Sequence, residues 1–285
     1  MDSRTTSHDH DSDLCARMEE AARRVRCQVF RMLDASRGGH LGGALSVIEM
    51  LCALYMHHMR IDPSRSKWKE RDRFVLSKGH ASAALYATLA EAGYFPTDEL
   101  LHLRQIGSRM LGHPDMRKTP GVDMSTGSLG IGISAAAGMA IGGKLRNASW
   151  RVYAIIGDGE SQSGAVLEAA MSAAHFELDN LTVMLDYNKL QIDGRVSKVM
   201  NIEPVRAKWE AFGWDVQEID GHRVHEILDA LDDATLVRGK PQFVIAHTIK
   251  GKGYSRIENA AAHHGMRLTH DQCVEALEEL HGEER

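Results

Sequence analysis

Cysteine is scarce. Cys15, Cys27, Cys52 and Cys273 are the only four in 285 residues, and they form no CxxC pair. This excludes a disulfide framework and reads as reduced, mostly buried thiols of a cytoplasmic protein. A basic excess is also missing. The formal net charge is −5, which argues against nucleic acid as the main partner, because phosphate backbones select for lysine and arginine. Small anionic substrates stay open, since local cations hold them whatever the total charge. No apolar run is long enough for a membrane. The strongest, Ser128 to Gly143, is short and rich in glycine and alanine, and reads as a buried helix with close neighbours. Met1 to Asp13 has no apolar core and is rich in His, Asp and Ser, so it reads as a disordered tail rather than a signal peptide. No repeat and no linker divides the rest, and residues 14–285 are read as one domain.

What is present is ordinary globular composition, 43% hydrophobic and 26% charged, with a clear change of pattern along the chain. Leu14, Met18, Ala21, Val25, Val29 and Met32 recur at helical spacing. A glycine-dense break, Ser36 to Gly43, follows. Leu45 to Met56 and Ala81 to Ala92 read as buried helices, and Gly107 to Ser128 as a long irregular loop of the kind that is usually functional. The second half alternates. Strands are expected over Arg151–Ile156, Leu181–Tyr187, Trp214–Ile219 and Gln242–Thr248. Helices are expected over Gly164–Phe176, Glu203–Phe212, Val224–Val237 and His270–Leu280. Alternation of this kind predicts an α/β fold, a mainly parallel sheet with helices on both faces.

In such a sheet ligands bind beyond the carboxyl ends of the strands. One expected strand runs into Gly157-Asp158-Gly159-Glu160, another into Asn188-Lys189-Leu190-Gln191-Ile192-Asp193-Gly194. Asp158 and Asn188 lie one strand–helix–strand unit apart. On neighbouring strands they would meet at one edge. With the Leu190 carbonyl they supply three hard oxygen ligands for Mg²⁺ (or Ca²⁺ or Mn²⁺), whose remaining positions suit water and phosphate. Gly157 and Gly159 allow close approach of a diphosphate, and the following helix offers free N–H groups. GDG alone is equally a tight strand-to-helix turn; the later Asn at this spacing favours the metal.

The pair Gly157-Asp158-Gly159 and Asn188 resembles the signature of thiamine-diphosphate enzymes. Gly39-His40, Ser77-Lys78-Gly79-His80-Ala81, Gly112-His113-Pro114, Thr126-Gly127-Ser128-Leu129-Gly130, Ile192-Asp193-Gly194 and His264-Gly265 follow the order and spacing of transketolases from about residue 20 to 280. The resemblance implies a transketolase N-terminal, diphosphate-binding chain with thiamine diphosphate and Mg²⁺ as cofactors. It places His80 and His264 near the diphosphate and thiazolium, and His40 and His113 on the donor sugar, all four as catalytic histidines. It makes Gly127 and Leu129 backbone contacts of the aminopyrimidine and Ile192 an apolar contact. Gly157, Gly159, Glu160, Asn188, His80 and His264 complete the cofactor shell, with Asp158, Asn188 and Leu190 on the metal. Lys250-Gly251-Lys252-Gly253 is implied to order over bound cofactor. His222 reads as structural. His8, His10, His57, His58 and His281 read as residues without a role.

The family's carboxylate against the pyrimidine N1′, and its substrate-phosphate residues, belong to a further domain that this chain lacks. The resemblance is therefore to one half of a split transketolase. It implies a C-terminal subunit supplying the pyrimidine-binding domain and catalytic Glu, an α2β2 assembly, and sugar phosphates as substrates. Two positions depart from the family: Ser163 stands where a Glu is usual, and Ile131 where a Gln is common. Three alternatives stay open. These are a deoxyxylulose-phosphate synthase-like chain, the α subunit of a 2-oxoacid dehydrogenase component, and a non-catalytic relic.

Overall fold

The computed structural model describes residues 10–36, 38–263, 265 and 267–282. Ten helices lie among them: α1 (Ser12–Ala35), α2 (Leu41–Leu45), α3 (Ile48–Ala53), α4 (Ser82–Glu91), α5 (Ile131–Leu145), α6 (Gly164–His175), α7 (Val196–Val199), α8 (Val205–Ala211), α9 (Val224–Leu236) and α10 (His270–Gly282). Seven strands accompany them: β1 (Arg73–Leu76), β2 (Val152–Gly157), β3 (Leu181–Tyr187), β4 (Leu190–Gln191), β5 (Gly194–Arg195), β6 (Asp215–Asp220) and β7 (Gln242–His247). Five of the strands form one sheet in the order β1-β2-β3-β7-β6, and every pairing in it is parallel. β4 and β5 make a separate two-residue antiparallel ladder just past β3.

Side chains alternate across the sheet, as the two-residue period of a strand requires. Tyr153 and Ile155 of β2, Met184 of β3 and Val244 of β7 join a core built with α1 to α4, α9 and α10. Val152, Ala154 and Ile156, with Val183, Leu185, Phe243 and Ile245, join a second core with α5, α6 and α8. The expected α/β architecture with helices on both faces is therefore present. Both cores share one sheet, and all four cysteines are unpaired.

Three local expectations needed revision. β1 was not anticipated: it is only four residues long, buried along most of its length, and too short to show a period. The single helix expected over Leu45–Met56 is broken. α2 stops at Leu45, α3 starts at Ile48, and a π-helical turn covers Leu54–His58. At the break Ser46 Oγ donates to Asp186 Oδ2 at 2.7 Å, a bond to the central strand of the sheet. The helix expected to be buried over Ser128–Gly143 starts only at Ile131, because Gly130 is left-handed at φ +85°. Its close neighbours are real: a Cβ on Gly132 would lie 2.6 Å from Ser77 Cα. One face is open, however, with Ile131 and Leu145 exposed.

Residues 1–9, most of the expected tail, lie outside the described set. Asp11 caps α1 by accepting from the Asp13 N–H at 3.0 Å, the usual role of an Asp at a helix start. Among the described residues no helix is long and apolar enough to cross a membrane.

Candidate active site

Four adjacent strands end at one edge. β1 runs into Ser77-Lys78-Gly79-His80, β2 into Asp158-Gly159-Glu160, β3 into Asn188-Lys189-Leu190, and β7 into Thr248-Ile249-Lys250. The register aligns Gly157 of β2 with Asp186 of β3, and Asp186 with Ala246 of β7. Asp158 and Asn188 thus leave neighbouring strands at nearly the same height. Asp158 Oδ2 accepts from the Lys189 N–H at 2.5 Å, and its Oδ1 from the Gly159 N–H at 2.7 Å. Because Lys189 N is bonded directly to the Asn188 carbonyl carbon, the carboxylate lies against the peptide that carries Asn188. Asn188 is oriented in turn: its Nδ2 donates to Asp186 Oδ2 at 3.0 Å and its Oδ1 accepts from the Leu190 N–H at 3.1 Å. A cavity of about 170 Å³ opens along this edge beside Asn188, Leu190, Thr248 and Asn259.

The electrostatics divide four buried charges into a closed pair and an open pair. Asp186, fully buried on the central strand, accepts from Lys78 Nζ, Thr248 Oγ1, Ser46 Oγ and Asn188 Nδ2. Burial pushes its carboxyl up, but Lys78 and these hydrogen bonds more than reverse that and hold it low. Lys78 Nζ also donates to the Gly43 carbonyl at 2.9 Å. Asp158 and Lys250 have no such closure. Burial, with Asp186 close by, pushes the Asp158 carboxyl up to about 7. Burial, with Lys78 close by, draws the Lys250 ammonium down to about 8. Lys250 is 1% exposed and its Nζ has no hydrogen-bond partner. Lys250 feels Asp158 and Asp186, and Asp158 feels Lys78, but neither Asp158 nor Lys250 has a bonded counter-ion, and a buried charge without one carries a desolvation cost. A divalent metal bound to a diphosphate answers both at once.

The donor set fits that group. Asp158, the Asn188 amide oxygen and the Leu190 carbonyl are hard oxygens of the kind Mg²⁺ takes. Among the described residues no three His, Cys, Asp or Glu side chains gather as a self-sufficient metal site, so an ion here would rely on phosphate oxygens as well. Gly159 leaves little spare room, since a Cβ would lie 3.2 Å from Gln191 Cβ. At Gly43 a Cβ would stand 3.1 Å from His80 Nε2 and 3.4 Å from Lys78 Nζ.

Glu160 does something more specific than its motif implied. Its Oε1 accepts from Ser77 Oγ at 2.5 Å and from the Gly130 N–H at 2.9 Å, and its Oε2 from the Gly157 N–H at 3.0 Å. One buried carboxylate thus ties together the β1 turn, the β2 turn and the start of α5. Ser163 lies against that start: a Cβ on Gly130 would be 2.5 Å from Ser163 Oγ.

The histidines His40, His80 and His113 converge. Ring centroids of His40 and His80 are 5.4 Å apart, and those of His40 and His113 are 5.9 Å apart. Burial lowers the His40 imidazole, and the nearby His113 and Arg104 lower it further, so it is neutral near pH 7. Gly127 meets this group, with a Cβ position 3.6 Å from His113 Cδ2, and Gly265 does too, with one 3.8 Å from His40 Cδ2. His264 lies outside the described residues. Leu129 and Ile192 are 46% and 65% exposed, one just before α5 and the other at the tip of the β4–β5 turn. The individual roles of Lys78, Asp186 and Lys250 were not evident from the sequence. The available signal was a lone Asp inside the apolar run Leu181–Tyr187, since a buried carboxylate demands a cation.

The fold and its strand-end edge define an α/β domain that presents an open anion-and-cation pair beside three histidines. Residues 18–284 match the family described as "Transketolase, thiamine diphosphate binding domain", and the chain belongs to the transketolase family. It is 50% identical over 245 residues to a 6-deoxy-6-sulfo-D-fructose transketolase subunit, SqwG, of Clostridium sp. (strain MSTE9), covering 86% of this chain and 89% of that one. It is 39% identical over 264 residues to an apulose-4-phosphate transketolase subunit of Phocaeicola vulgatus, covering 92% and 93%. The transketolase of Leishmania mexicana superposes with a TM-score of 0.87 at 32% identity over 93% of this chain. This chain spans 41% of that longer one, whereas the two subunit relatives are matched over nearly their full length.

Proposed function

We propose that this chain is the cofactor-gripping subunit of a two-subunit transketolase. With thiamine diphosphate, Mg²⁺ and a separate C-terminal subunit, it moves a two-carbon ketol unit from an anionic ketose to an aldose. The observation that carries this reading is the open pair of buried charges, Asp158 wanting a cation and Lys250 wanting an anion, at one sheet edge. Asp158, Asn188 and the Leu190 carbonyl would hold the metal, and Lys250 would neutralise phosphate oxygens. Thiamine diphosphate, when bound, supplies the electron sink for breaking and making a carbon–carbon bond beside a carbonyl. His40, neutral at pH 7, is suited to take a proton from a sugar hydroxyl. His80 and His113 flank it, placed to return a proton or donate a hydrogen bond to a sugar oxygen.

The separate subunit is supported by the relatives named as subunits, and by Leu129, Ile131 and Ile192, large apolar side chains left exposed around the site. It would bring the pyrimidine-binding domain and the catalytic Glu, in an α2β2 assembly. The relatives' names point to a ketose ending in sulfonate or phosphate. The unpaired cysteines fit a reducing, cytoplasmic setting. The test is to assay the chain alone and with its partner, with thiamine diphosphate and Mg²⁺, on 6-deoxy-6-sulfofructose and on ketose phosphates with an aldose phosphate acceptor. Turnover is expected only from the pair. Turnover by the lone chain, or none by the complete mixture on any of these ketoses, defeats the proposal.

A further inference from the structure

Lys250 raises a physical question of its own. A lysine on a loop has four rotatable carbons with which to reach water, yet this one stays buried with no hydrogen-bond partner. Something must hold its backbone in place.

Beneath the loop lies a buried charge network drawn from three separate elements. Arg26 of α1 donates through Nη2 to Glu49 Oε1 of α3 at 2.6 Å. His222, in the turn between β6 and α9, lies with Nδ1 3.2 Å from Glu49 Oε2. The two free ends of this network both finish on the backbone around Lys250. His222 Nε2 accepts from the Ile249 N–H at 2.8 Å, and Arg26 Nε donates to the Lys252 carbonyl at 3.0 Å. Since His222 Nε2 is an acceptor, its proton sits on Nδ1 and points at Glu49. The loop closes around the network at Gly253, left-handed at φ +91°, where a Cβ would collide with Arg26 Cδ. Gly251 N–H donates to the Gly42 carbonyl at 3.0 Å from the other side.

We infer that Arg26, Glu49 and His222 are positioning residues for Lys250, locking residues 249–252 so that its ammonium stays desolvated where a diphosphate meets it. An ion pair serving stability alone could be replaced by apolar packing. This one ends on the Ile249 N–H and the Lys252 carbonyl, backbone groups on either side of a single lysine in the loop, an arrangement that apolar side chains cannot reproduce. The inference rests on the diphosphate reading of the site, and its test separates the two.

The experiment uses the full chain and two readouts: mass-spectrometric acylation of Lys250 by an N-hydroxysuccinimide ester without cofactor, and calorimetric titration with thiamine diphosphate and Mg²⁺. His222→Leu is expected to raise Lys250 labelling about tenfold and weaken cofactor binding about tenfold, the scale of one lost hydrogen bond to a charged site. In a Lys250→Met background the same substitution should change affinity by less than about twofold, because it acts through Lys250. His222→Gln, which keeps an acceptor for Ile249, should restore both readouts. Should His222→Leu not fold, Arg26→Lys keeps the charge and loses the Nε contact to the Lys252 carbonyl, and is held to the same criteria. Unchanged Lys250 labelling, or an equal affinity loss with and without Lys250, overturns the positioning role. If Lys250→Met itself leaves cofactor affinity unchanged, the diphosphate reading fails, while the labelling still decides whether the network holds the lysine.

Discussion

Asp158 and Asp186 are two carboxylates on neighbouring strand ends with opposite electrostatic histories. Asp186 is saturated by Lys78, Ser46, Thr248 and Asn188, whereas Asp158 is left at about 7 by burial and by Asp186 beside it. At pH 8, without metal, the charged Asp158 is a net cost to the fold. Asp158→Asn should therefore stabilise the isolated chain by about 1–3 kcal/mol while removing the stabilisation conferred by Mg²⁺ with thiamine diphosphate. Urea denaturation with and without both ligands measures this, and a variant less stable than wild type at pH 8 contradicts it. Glu49 is the reverse case. Burial would push its carboxyl up, but Arg26 and His222 bring it down to about 2. A lowered carboxyl contributes stability that is complete above its unfolded value near 4.5 and is lost as the pH falls through about 2. Glu49→Gln should cost about 3 kcal/mol at pH 7, a gap that narrows below pH 4.5. Equal gaps at pH 7 and pH 3 would count against this. Asp158 and Asn188 were legible in the sequence because glycines and spacing marked them. The roles of Lys78, Asp186 and Glu49 were not, because their meaning lies in partners from 23 to 173 positions away along the chain, and the Lys250 segment was marked only as a loop over the cofactor.

Among the elements, the long segment from Gly107 to Gly130 shows how irregular chain is made rigid. It carries His113 and Gly127, and it is fastened to regular structure at both ends. From α4, Ser82 Oγ donates to the Gly112 carbonyl at 3.0 Å and Tyr86 OH to the His113 carbonyl at 3.1 Å. From the β1 side, Thr126 Oγ1 donates to the Leu76 carbonyl at 2.7 Å, and Asp123 accepts from the Phe74 N–H at 2.9 Å and from Arg71. The apolar reading of α4 was legible, but the two polar atoms that aim a histidine were hidden among its alanines. β1 was invisible for want of length, and with it the anchor of Thr126. Tyr86→Phe removes one buried bond, worth about 1 kcal/mol. Its expected effect is a rise of about threefold to tenfold in the KM for the ketose with cofactor affinity kept, read by steady-state kinetics and calorimetry. A loss of cofactor affinity instead would show that Tyr86 supports the diphosphate end.

For the whole molecule, the decisive feature is the order of the strands. β7 inserts between β3 and β6, which carries Lys250 to the edge where Asp158 and Asn188 already lie. Alternating strands and helices revealed a parallel sheet but not this order, because the pairing of β3 with β7 is a contact between distant segments with no local signature. The consequence is a coupled site. Mg²⁺ alone finds one carboxylate, one amide and one carbonyl, too few oxygens for firm binding. A diphosphate alone finds Lys250 but also the negative field of Asp158. Each ligand removes the other's defect, so each should tighten the other equally. In thermal unfolding, millimolar Mg²⁺ or thiamine diphosphate alone should raise the midpoint by no more than about 1 °C. Together, at about 100 times the dissociation constant, they should add about 2.7 kcal/mol, a rise of roughly 4–5 °C for a chain of this size. Shifts that merely add would mean that metal and diphosphate bind independently, and the open pair of charges would then not be the feature that assembles the site.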